Sequence, residues 1–335
     1  MTDVAPTQSP DRTADAAIEI GLNAAIVGVR AYQPQILVVR DGTDADWDAL
    51  PYGPFSPQDH RTFEIGLRRW VQQQTGLELG FVDQLYTFGD RGRHAQPGDT
   101  GAHVVSVGYL ALAPHGAEPD LAGAAWSRWY AYLPWEDWRD GEPEVLTTEI
   151  EPRLRRWAAQ PLRPTEPARP LKRDERLRIC FGFDGGGWDE EKVLERYELL
   201  YESGLVAEAK RDEREAADAW TDLPALGRPM QFDHRRVLAT AMGRLRAKVK
   251  YRPVVFELVP EAFTLFQLQM TVEAIMGSHL HKQNFRRLVE NAGLVEATGD
   301  MTAETGGRPA KLFRFRREVL LERPAPGVRV KAGRA

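Results

Sequence analysis

The sequence predicts an α+β protein with two folded parts, an N-terminal domain of strands around a helix and a C-terminal domain of helices followed by a β-hairpin. Short β-branched runs flank a segment with helical spacing within the first 112 residues. Between residues 231 and 317, three helix-like segments precede an alternating, strand-like run. The same 87 residues hold 15 Lys and Arg against 8 Asp and Glu, whereas the whole chain holds 44 against 49. A basic C-terminal domain is therefore expected to bind a different partner from the rest.

Composition excludes several classes of protein. The 335 residues are 42% hydrophobic and 28% charged, as in ordinary globular chains of two or three domains. Every apolar run is shorter than the roughly 18 to 20 residues that span a membrane, and the N-terminus is acidic where a signal peptide would be basic. Cys180 is the single cysteine, which excludes an internal disulfide and a cysteine zinc cluster. We expect a cytoplasmic protein.

The N-terminal elements follow in order. Residues 1–20 lack apolar periodicity and are predicted to be disordered. Two β-branched runs, 25–29 and 36–40, flank Gln33-Pro34 and predict a hairpin that turns there. Apolar residues from Phe63 to Val71 have helical spacing, and Gly76 ends the predicted helix. The runs 84–90 and 104–112 predict two further strands that pair with each other.

The middle of the chain gives weaker signals. Four of the nine tryptophans lie between Trp126 and Trp138, and such clusters more often form a core or a subunit interface than a ligand site. We expect a homodimer interface there. Residues 151–176 are rich in Pro and Arg and predict a linker, after which a small helix runs from Val193 towards Gly204.

The C-terminal part predicts three helices and a wing. A long helix follows Asp233, and Pro253 prevents its continuation. Thr264 and Gln267 form a capping-box pattern that begins a second helix, and glycine at 277 turns the chain. A third helix would bury Phe285 and expose Lys282, Gln283, Asn284, Arg286 and Arg287.

In a helix-turn-helix, the second helix lies in the major groove and contacts base edges with polar side chains on its outer face. Asn and Gln match the hydrogen-bonding edge of adenine, and Arg matches that of guanine. The strand that follows would place Phe313 and Phe315 inward and Arg314 outward, with Arg308 and Lys311 near phosphates. These elements predict a winged helix-turn-helix. A winged-helix module that binds protein is the alternative, and the positive charge favours DNA.

The segment from Arg69 to Leu77 resembles a Nudix box without its catalytic atoms. The Nudix pattern reads Arg-Glu-hydrophobic-x-Glu-Glu-x-Gly-hydrophobic, and its glutamates hold divalent cations. Here Trp70, Gln73 and Gln74 stand at the glutamate positions. Because hard cations are held mainly by carboxylates, the resemblance implies binding without hydrolysis.

Taken together, residues 23–112 and 231–317 resemble the Nudix-related transcriptional regulators of NAD metabolism of the NrtR and NadQ types. The resemblance rests on the altered box and on the ordered motifs at 232–238, 263–269, 284–287 and 307–315. The middle region, about 115–225, is longer than a minimal member needs and favours the NadQ type.

The resemblance implies an N-terminal Nudix-like α/β/α sandwich and a C-terminal winged helix-turn-helix. It also implies a homodimeric repressor in the bacterial cytoplasm, associated with the nucleoid, that binds a palindromic operator in double-stranded DNA and responds to an adenine nucleotide, ADP-ribose or ATP. No catalytic residue, metal or required cofactor is expected. The predicted divisions are a disordered N-terminus 1–20, a Nudix-like ligand-sensing domain 21–150, a linker with a small helical insertion 151–229, a winged helix-turn-helix 230–320, and a flexible tail 321–335.

Two sets of site residues are predicted. The DNA-binding set is Thr264, Gln267, Lys282, Gln283, Asn284, Arg286, Arg287, Arg308, Lys311 and Arg314. The ligand-binding set supplies Arg for phosphates and Tyr for an adenine ring, and comprises Arg30, Arg40, Tyr52, Arg69, Gln73, Gln74, Tyr86 and Asp90.

A rival hypothesis is an active Nudix hydrolase, similar to an ADP-ribose pyrophosphatase, that has moved its metal ligands to Glu64, Asp59 or Asp90. These carboxylates lack the helical spacing that would gather two or three around one ion. A structural or RNA-associated protein is a third hypothesis, and the sequence contains no RNA-stacking motif that supports it.

Overall fold

A six-stranded sheet, a group of helices and a separate two-stranded hairpin organise the chain. The computed structural model describes residues 18–40, 47–90, 103–162, 169–303, 309–322 and 327–328. In chain order the strands and α-helices are β1 (Ile18–Arg30), β2 (Gln33–Val39), β3 (Tyr52–Pro54), α1 (Phe63–Thr75), β4 (Val82–Phe88), β5 (His103–Leu112), β6 (Ala124–Arg128), α2 (Glu151–Ala158), α3 (Arg173–Phe181), α4 (Val193–Glu202), α5 (Ala207–Arg211), α6 (His234–Tyr251), α7 (Leu265–Met276), α8 (Lys282–Asn291), β7 (Val295–Thr302), β8 (Ala310–Phe315) and α9 (Val319–Glu322).

The large sheet has the strand order β4-β5-β1-β2-β6, and β3 pairs with β1. The predicted hairpin is confirmed, because β1 and β2 pair antiparallel with Arg30 opposite Gln33, but the turn predicted at Gln33 and Pro34 is formed by Ala31 and Tyr32 instead. The predicted pairing of the two later runs is also confirmed as β4 against β5. Strand β1 begins at Ile18 and runs parallel to β5, so the prediction of disorder is wrong for residues 18–20. Residues 1–17 lie outside the described part of the chain.

The sheet is covered on both faces. Side chains of β1 alternate between the faces, so Leu22 packs in one core with α1 while Ala25 packs in the other. That second core contains Val237 and Leu245 of α6. The predicted α/β/α sandwich is confirmed, and α6 forms its third layer. The predicted boundary at residue 230 had placed this helix with the winged helix.

The predicted linker over 151–176 is wrong, since α2 and the first turn of α3 lie within it. Leu154 and Trp157 of α2 and Leu177 of α3 are buried. Pro152 lies in the first turn of α2. The predicted small helix is confirmed as α4, which packs against α6. The insertion is therefore a folded helical unit. None of the helices in the described ranges is long and apolar enough to cross a membrane.

Two of the four clustered tryptophans lie in the core. Trp129 and Trp135 are 0% exposed within the single chain. Trp126 rests on Gly28, where an added Cβ would lie 3.1 Å from the ring. Trp129 and Trp135 therefore have no surface to offer a second subunit, whereas Trp126 and Trp138 are half-buried, so the expected homodimer interface at the cluster stays a prediction.

The C-terminal helices and hairpin match the predicted order. The Thr264 hydroxyl accepts a hydrogen bond from the Gln267 N–H at 3.1 Å and so caps the N-terminus of α7. Gly277, with a left-handed φ of 70°, caps the C-terminus of the same helix. Strands β7 and β8 pair antiparallel. Phe315 stacks on Phe256 with ring centroids 4.4 Å apart, which fixes the hairpin against the helices. This is the predicted winged helix-turn-helix.

Candidate ligand site and nucleic-acid interface

Two of the three residues at the Nudix glutamate positions bind the backbone of β3. The Gln74 amide accepts a hydrogen bond from the Tyr52 N–H at 3.0 Å and donates one to the Tyr52 carbonyl oxygen at 2.6 Å. The Trp70 indole N–H donates to the Pro54 carbonyl oxygen at 2.9 Å. The indole ring also lies directly on Gly53, where an added Cβ would come within 2.3 Å of it. Residues 70 and 74 therefore hold β3 to α1 and present no carboxylate to a metal.

The carboxylates of the rival hydrolase hypothesis do not converge. Glu64 accepts a hydrogen bond from Arg68 at 2.9 Å, Asp59 accepts one from Ser56 at 2.7 Å, and Asp90 is paired with Arg236. No group of three His, Cys, Asp or Glu residues able to hold a metal ion occurs within the described ranges. The relocated metal site is not supported by this geometry.

The other predicted ligand residues are spread over the domain. Arg30 and Arg40 lie beside opposite ends of β2. At roughly 3.3 Å per residue along a strand, their backbones are about 23 Å apart. Arg30 pairs with Glu118 and lies over the Trp126 ring. Arg40 donates from Nε to the buried Asp48 at 2.6 Å. The two guanidinium groups therefore cannot hold the same phosphate.

Exposed positions remain on α1 and β4. The side chains of Arg69 and Gln73 are exposed on α1, and Tyr86 of β4 is 60% exposed. Arg40 and Asp90 are exposed as well, but they pair with Asp48 and Arg236, and Arg30 is half-buried. The side-chain amide of Gln74 is already engaged by the backbone of Tyr52, whereas the Tyr52 ring takes no part in these two bonds.

Sequence reasoning missed an aromatic group around Tyr52. The Tyr52 ring lies 5.3 Å from the Phe232 ring and 5.2 Å from the His234 ring, measured between centroids. His234 is fully buried and accepts a hydrogen bond from the Leu50 N–H at 3.1 Å. Phe232 has a left-handed φ of 49°. The motif at 232–238 was part of the family resemblance, but nothing in its spacing indicated contact with β3.

A cleft of about 740 Å³ lies between α3, α4 and the chain after α5. Asp90 belongs to the predicted ligand set and lines this cleft. Its charged walls pair with each other, as Arg176 does with Glu202 at 2.8 Å and Tyr201 does with Asp212 at 2.8 Å. Because these groups already satisfy one another, the cleft does not offer an evident phosphate site.

The second helix of the helix-turn-helix, α8, has a sharply divided surface. Phe285 and Val289 are buried, whereas the polar residues on the outer face are all exposed, namely Lys282, Gln283, Asn284, Arg286 and Arg287. Amide and guanidinium groups on one exposed helix face are suited to hydrogen bonding with base edges and phosphates. The predicted recognition helix therefore has the expected geometry.

Two residues of the predicted DNA-binding set form the cap of α7. Thr264 is 2% exposed, and the Gln267 side-chain oxygen accepts a hydrogen bond from the Thr264 N–H at 2.8 Å. Both side chains are thus engaged as the cap of α7, and a direct contact of the Thr264 side chain with DNA is not supported. Lys311 is exposed on the wing, and Arg314 pairs with Glu296 at 2.6 Å. Arg308 lies outside the described residues.

A buried carboxylate fixes the turn between α7 and α8. Glu273 is 3% exposed and accepts hydrogen bonds from the Leu280 N–H at 3.0 Å and from the Gln269 amide at 2.7 Å. His279 lies 2.8 Å from its second oxygen. The turn therefore sets the direction in which α8 leaves α7. Sequence reasoning did not identify Glu273.

The charge excess used to predict DNA binding belongs largely to α6. Seven of the fifteen Lys and Arg residues in 231–317 lie between Arg235 and Arg252, and residues 253–317 hold eight against seven acids. Several of these cations pair internally, as Arg235 does with Glu208, Lys248 with Asp83 and Lys250 with Glu190. The shape and chemistry of α8 therefore carry the DNA-binding prediction, and net charge does not.

Residues 255–315 match the family model of the NrtR DNA-binding winged helix domain. The chain is similar to the ADPR-responsive transcriptional repressor NtrR of Acinetobacter baylyi, with 41% identity over 97 residues, which is 29% of this chain. That similarity spans 38% of the length of the relative. The matched winged helix begins after α6, in agreement with the place of α6 in the sandwich.

Solved structures show the same architecture over most of the chain. The NrtR of Shewanella oneidensis complexed with a 27mer DNA superposes with a TM-score of 0.53 at 18% identity, covering 90% of this chain and 94% of that one. A second crystal structure of the Shewanella oneidensis NrtR superposes with a TM-score of 0.52 at 18% identity, covering 90% of this chain and 95% of that one. The resemblance and the fold class predicted from the sequence are confirmed.

Proposed function

We propose that this protein is a transcriptional repressor that binds double-stranded DNA through its winged helix and responds to a nucleotide through its Nudix-like domain. The exposed polar face of α8 carries the proposal. Its donors and acceptors project from a helix that Phe285 and Val289 fix to the domain core. A helix of this kind fits the major groove, where each base pair presents a distinct pattern of donors and acceptors.

The relatives support this assignment. The similar repressor of Acinetobacter baylyi is ADPR-responsive, and the Shewanella oneidensis NrtR has been solved in complex with a 27mer DNA. We extend the response to ADP-ribose and the binding of DNA to this chain. We also propose that it acts as a homodimer in the bacterial cytoplasm. A dimer with two-fold symmetry requires two half-sites, so the operator would be palindromic and located beside genes of NAD metabolism.

The effector would be an adenine nucleotide, with ADP-ribose as the leading choice and ATP as the second. We place it beside the exposed face of α1, where Arg69 and Gln73 offer donors, with Arg30 and Tyr86 as further contacts. Guanidinium groups bind phosphate oxygens strongly, and aromatic rings stack on bases. Neither a metal nor another cofactor is required by this proposal.

The protein would bind its nucleotide without hydrolysing it. Mg²⁺ assists attack on a diphosphate when carboxylates hold it beside the phosphates. Trp70 and Gln74 occupy two of the glutamate positions and are bonded to β3. Incubation of ADP-ribose with the protein and Mg²⁺ should release no AMP above background. Release that depends on Glu64 would favour the hydrolase.

Fluorescence anisotropy provides the direct test. The protein is titrated into labelled promoter fragments from its own operon and from NAD-biosynthesis genes, with ADP-ribose, ATP or no nucleotide. We expect salt-sensitive binding to at least one fragment and its loss in the presence of one nucleotide. Binding to none of the fragments at low salt would contradict the repressor assignment.

A further inference from the structure

The C-terminal end of α7 is bonded to the rest of the molecule through its last carbonyl groups. The Tyr130 hydroxyl donates to the Ala274 carbonyl oxygen at 2.8 Å, and Arg246 Nε donates to the Ile275 oxygen at 3.0 Å. The backbone N–H of residue 138 donates to the Gly277 oxygen at 2.7 Å. A helix leaves its last carbonyls without internal partners, and here other elements supply those partners. The first helix of the helix-turn-helix is therefore docked at a defined position.

Arg246 also belongs to a buried charge cluster, the Glu136 triad, which consists of Glu136, Arg196 and Arg246. Arg196 Nε lies 2.6 Å from Glu136 Oε1, and Arg246 Nη1 lies 2.7 Å from Oε2. All three side chains are fully buried. Arg196 comes from α4, Arg246 from α6 and Glu136 from the segment after β6. The triad thus joins the helical insertion to the sandwich at the point where α7 docks.

The triad needs α7 for its electrostatic balance. Burial raises the pKa of Glu136, but the two guanidinium groups outweigh burial and hold that pKa below its ordinary range. The carboxylate is therefore ionised, and two cations face one anion. The carbonyl end of a helix carries a partial negative charge, and α7 directs this end at Arg246. Separating α7 from Arg246 would leave a buried cation with fewer partners, which is costly.

The other end of α7 meets the β1–β2 hairpin. Tyr32 at the hairpin turn contacts Phe266 in the first turn of α7, with ring centroids 6.1 Å apart. Arg139 donates to the Tyr32 carbonyl oxygen at 3.1 Å, and its guanidinium lies 5.3 Å from the Tyr130 ring centroid. Both ends of α7 are thus in contact with the Nudix-like half.

We propose that Arg246 is the residue that couples the two halves of this protein. By holding the carbonyl end of α7 against the Glu136 triad, it makes the direction of α7, and hence of α8, follow the sandwich and the helical insertion. A nucleotide that shifts the sandwich would reorient the recognition helix through this contact. The proposal rests on the proposed function for its regulatory consequence, whereas the docking itself can be measured without DNA or nucleotide.

The test uses Arg246→Met and the milder Tyr130→Phe, which removes one hydroxyl and keeps the ring. Arg244→Ala is the control, because Arg244 is an exposed arginine on the same helix. Hydrogen exchange of the amides from Gly277 to Leu280 is followed in the full-length protein alone. We expect exchange about threefold to tenfold faster in Tyr130→Phe, and at least as fast in Arg246→Met if that variant folds, with no change in the control.

The regulatory readout is the ratio of operator dissociation constants with and without ADP-ribose. We expect this ratio to fall at least threefold in Tyr130→Phe, while the affinities for ADP-ribose and for the operator without nucleotide stay within twofold of the native protein. A purely structural role would change those affinities and leave their ratio intact. Unchanged exchange together with an unchanged ratio would overturn the proposal.

The two proposals fail in different ways. If neither ADP-ribose nor ATP alters operator binding by the native protein, the proposed function loses its effector and Arg246 loses its regulatory role. Exchange at 277–280 would still show whether Arg246 and Tyr130 hold α7. If the native protein responds to nucleotide and the variants respond equally, the coupling role alone is wrong.

Discussion

The side-chain amide of Gln74 binds both backbone polar atoms of Tyr52, accepting from its N–H at 3.0 Å and donating to its carbonyl oxygen at 2.6 Å. A glutamate at this position could form the first bond but not the second, since an ionised carboxylate only accepts. The position that resembles a Nudix metal ligand thus holds a residue suited to a different task. Its amide closes α1 onto β3.

The first prediction concerns Gln74→Glu. The change places a carboxylate oxygen against the Tyr52 carbonyl oxygen and removes a hydrogen bond that is partly buried. We expect the free energy of unfolding to fall by about 1 to 3 kcal/mol, as for other polar groups left without partners. Urea denaturation followed by tryptophan fluorescence measures it.

Gln73→Glu is the matched control. Gln73 is exposed on the same helix, one residue away, so its replacement should change stability by no more than about 0.5 kcal/mol. If Gln74→Glu proved as stable as Gln73→Glu, the paired hydrogen bonds to Tyr52 would not contribute to the free energy of unfolding. Gain of Mg²⁺-dependent AMP release in Gln74→Glu would instead restore the metal-ligand interpretation of this position.

Local patterns predicted the elements whose determinants lie close together in sequence. The capping box at Thr264 and Gln267 is such a case, since both hydrogen bonds join residues three apart. The hairpin of β1 and β2 is another, because its register depends on a two-residue turn. These features were confirmed because the physical interactions that create them are contained in a short window.

The features that sequence reasoning missed depend on partners far along the chain. The basic residues of α6 are counted in the charge that predicts DNA binding, yet Arg246 pairs with Glu136 and Arg235 pairs with Glu208 in the interior. A single sequence does not show that such charges will be neutralised inside the molecule. For this reason the prediction from sequence places α6 in the DNA-binding domain. For the same reason that prediction overestimates the positive charge of the domain.

The prediction of the ligand site is limited for the same reason, because it depends on which residues lie close together in space. Arg30 and Arg40 were grouped because arginine suits phosphate, but they lie at opposite ends of β2. Asp90 was grouped with them, although it pairs with Arg236 of α6. Residue type indicates what a side chain can bind, whereas distance decides which side chains can bind together.

The second prediction tests the recognition helix. Replacing Arg286 and Arg287 with Ala should weaken operator binding by more than tenfold, since each base or phosphate contact contributes roughly 1 to 3 kcal/mol. Both side chains are exposed, so the melting temperature should hardly change. Anisotropy titration of the operator measures the loss.

Glu290→Ala serves as its control, because Glu290 is exposed near the other end of α8. Removing an acid should leave operator binding unchanged or slightly tighter. Undiminished affinity in a folded Arg286→Ala, Arg287→Ala variant would place the DNA elsewhere and would favour a protein-binding role for the winged helix.

The third prediction separates a helix cap from a DNA contact at Thr264. Thr264→Ala removes the hydroxyl that accepts the Gln267 N–H, so unfolding should become easier by about 0.5 to 2 kcal/mol. Thr264→Ser retains the oxygen and should recover most of the loss. Thermal melts of both variants give the comparison. A large loss of operator affinity in Thr264→Ala without loss of stability would restore Thr264 to the DNA interface.

The last prediction concerns the tryptophan cluster. Trp135 is 0% exposed in the single chain and packs in the main core, so Trp135→Ala should lower the free energy of unfolding by about 3 to 5 kcal/mol. Subunit association should persist in whatever variant remains folded, because the side chain does not reach the surface. Urea denaturation combined with light scattering at low temperature measures both quantities. A variant that keeps native stability yet dissociates would show that Trp135 belongs to an interface, which its complete burial within one subunit argues against.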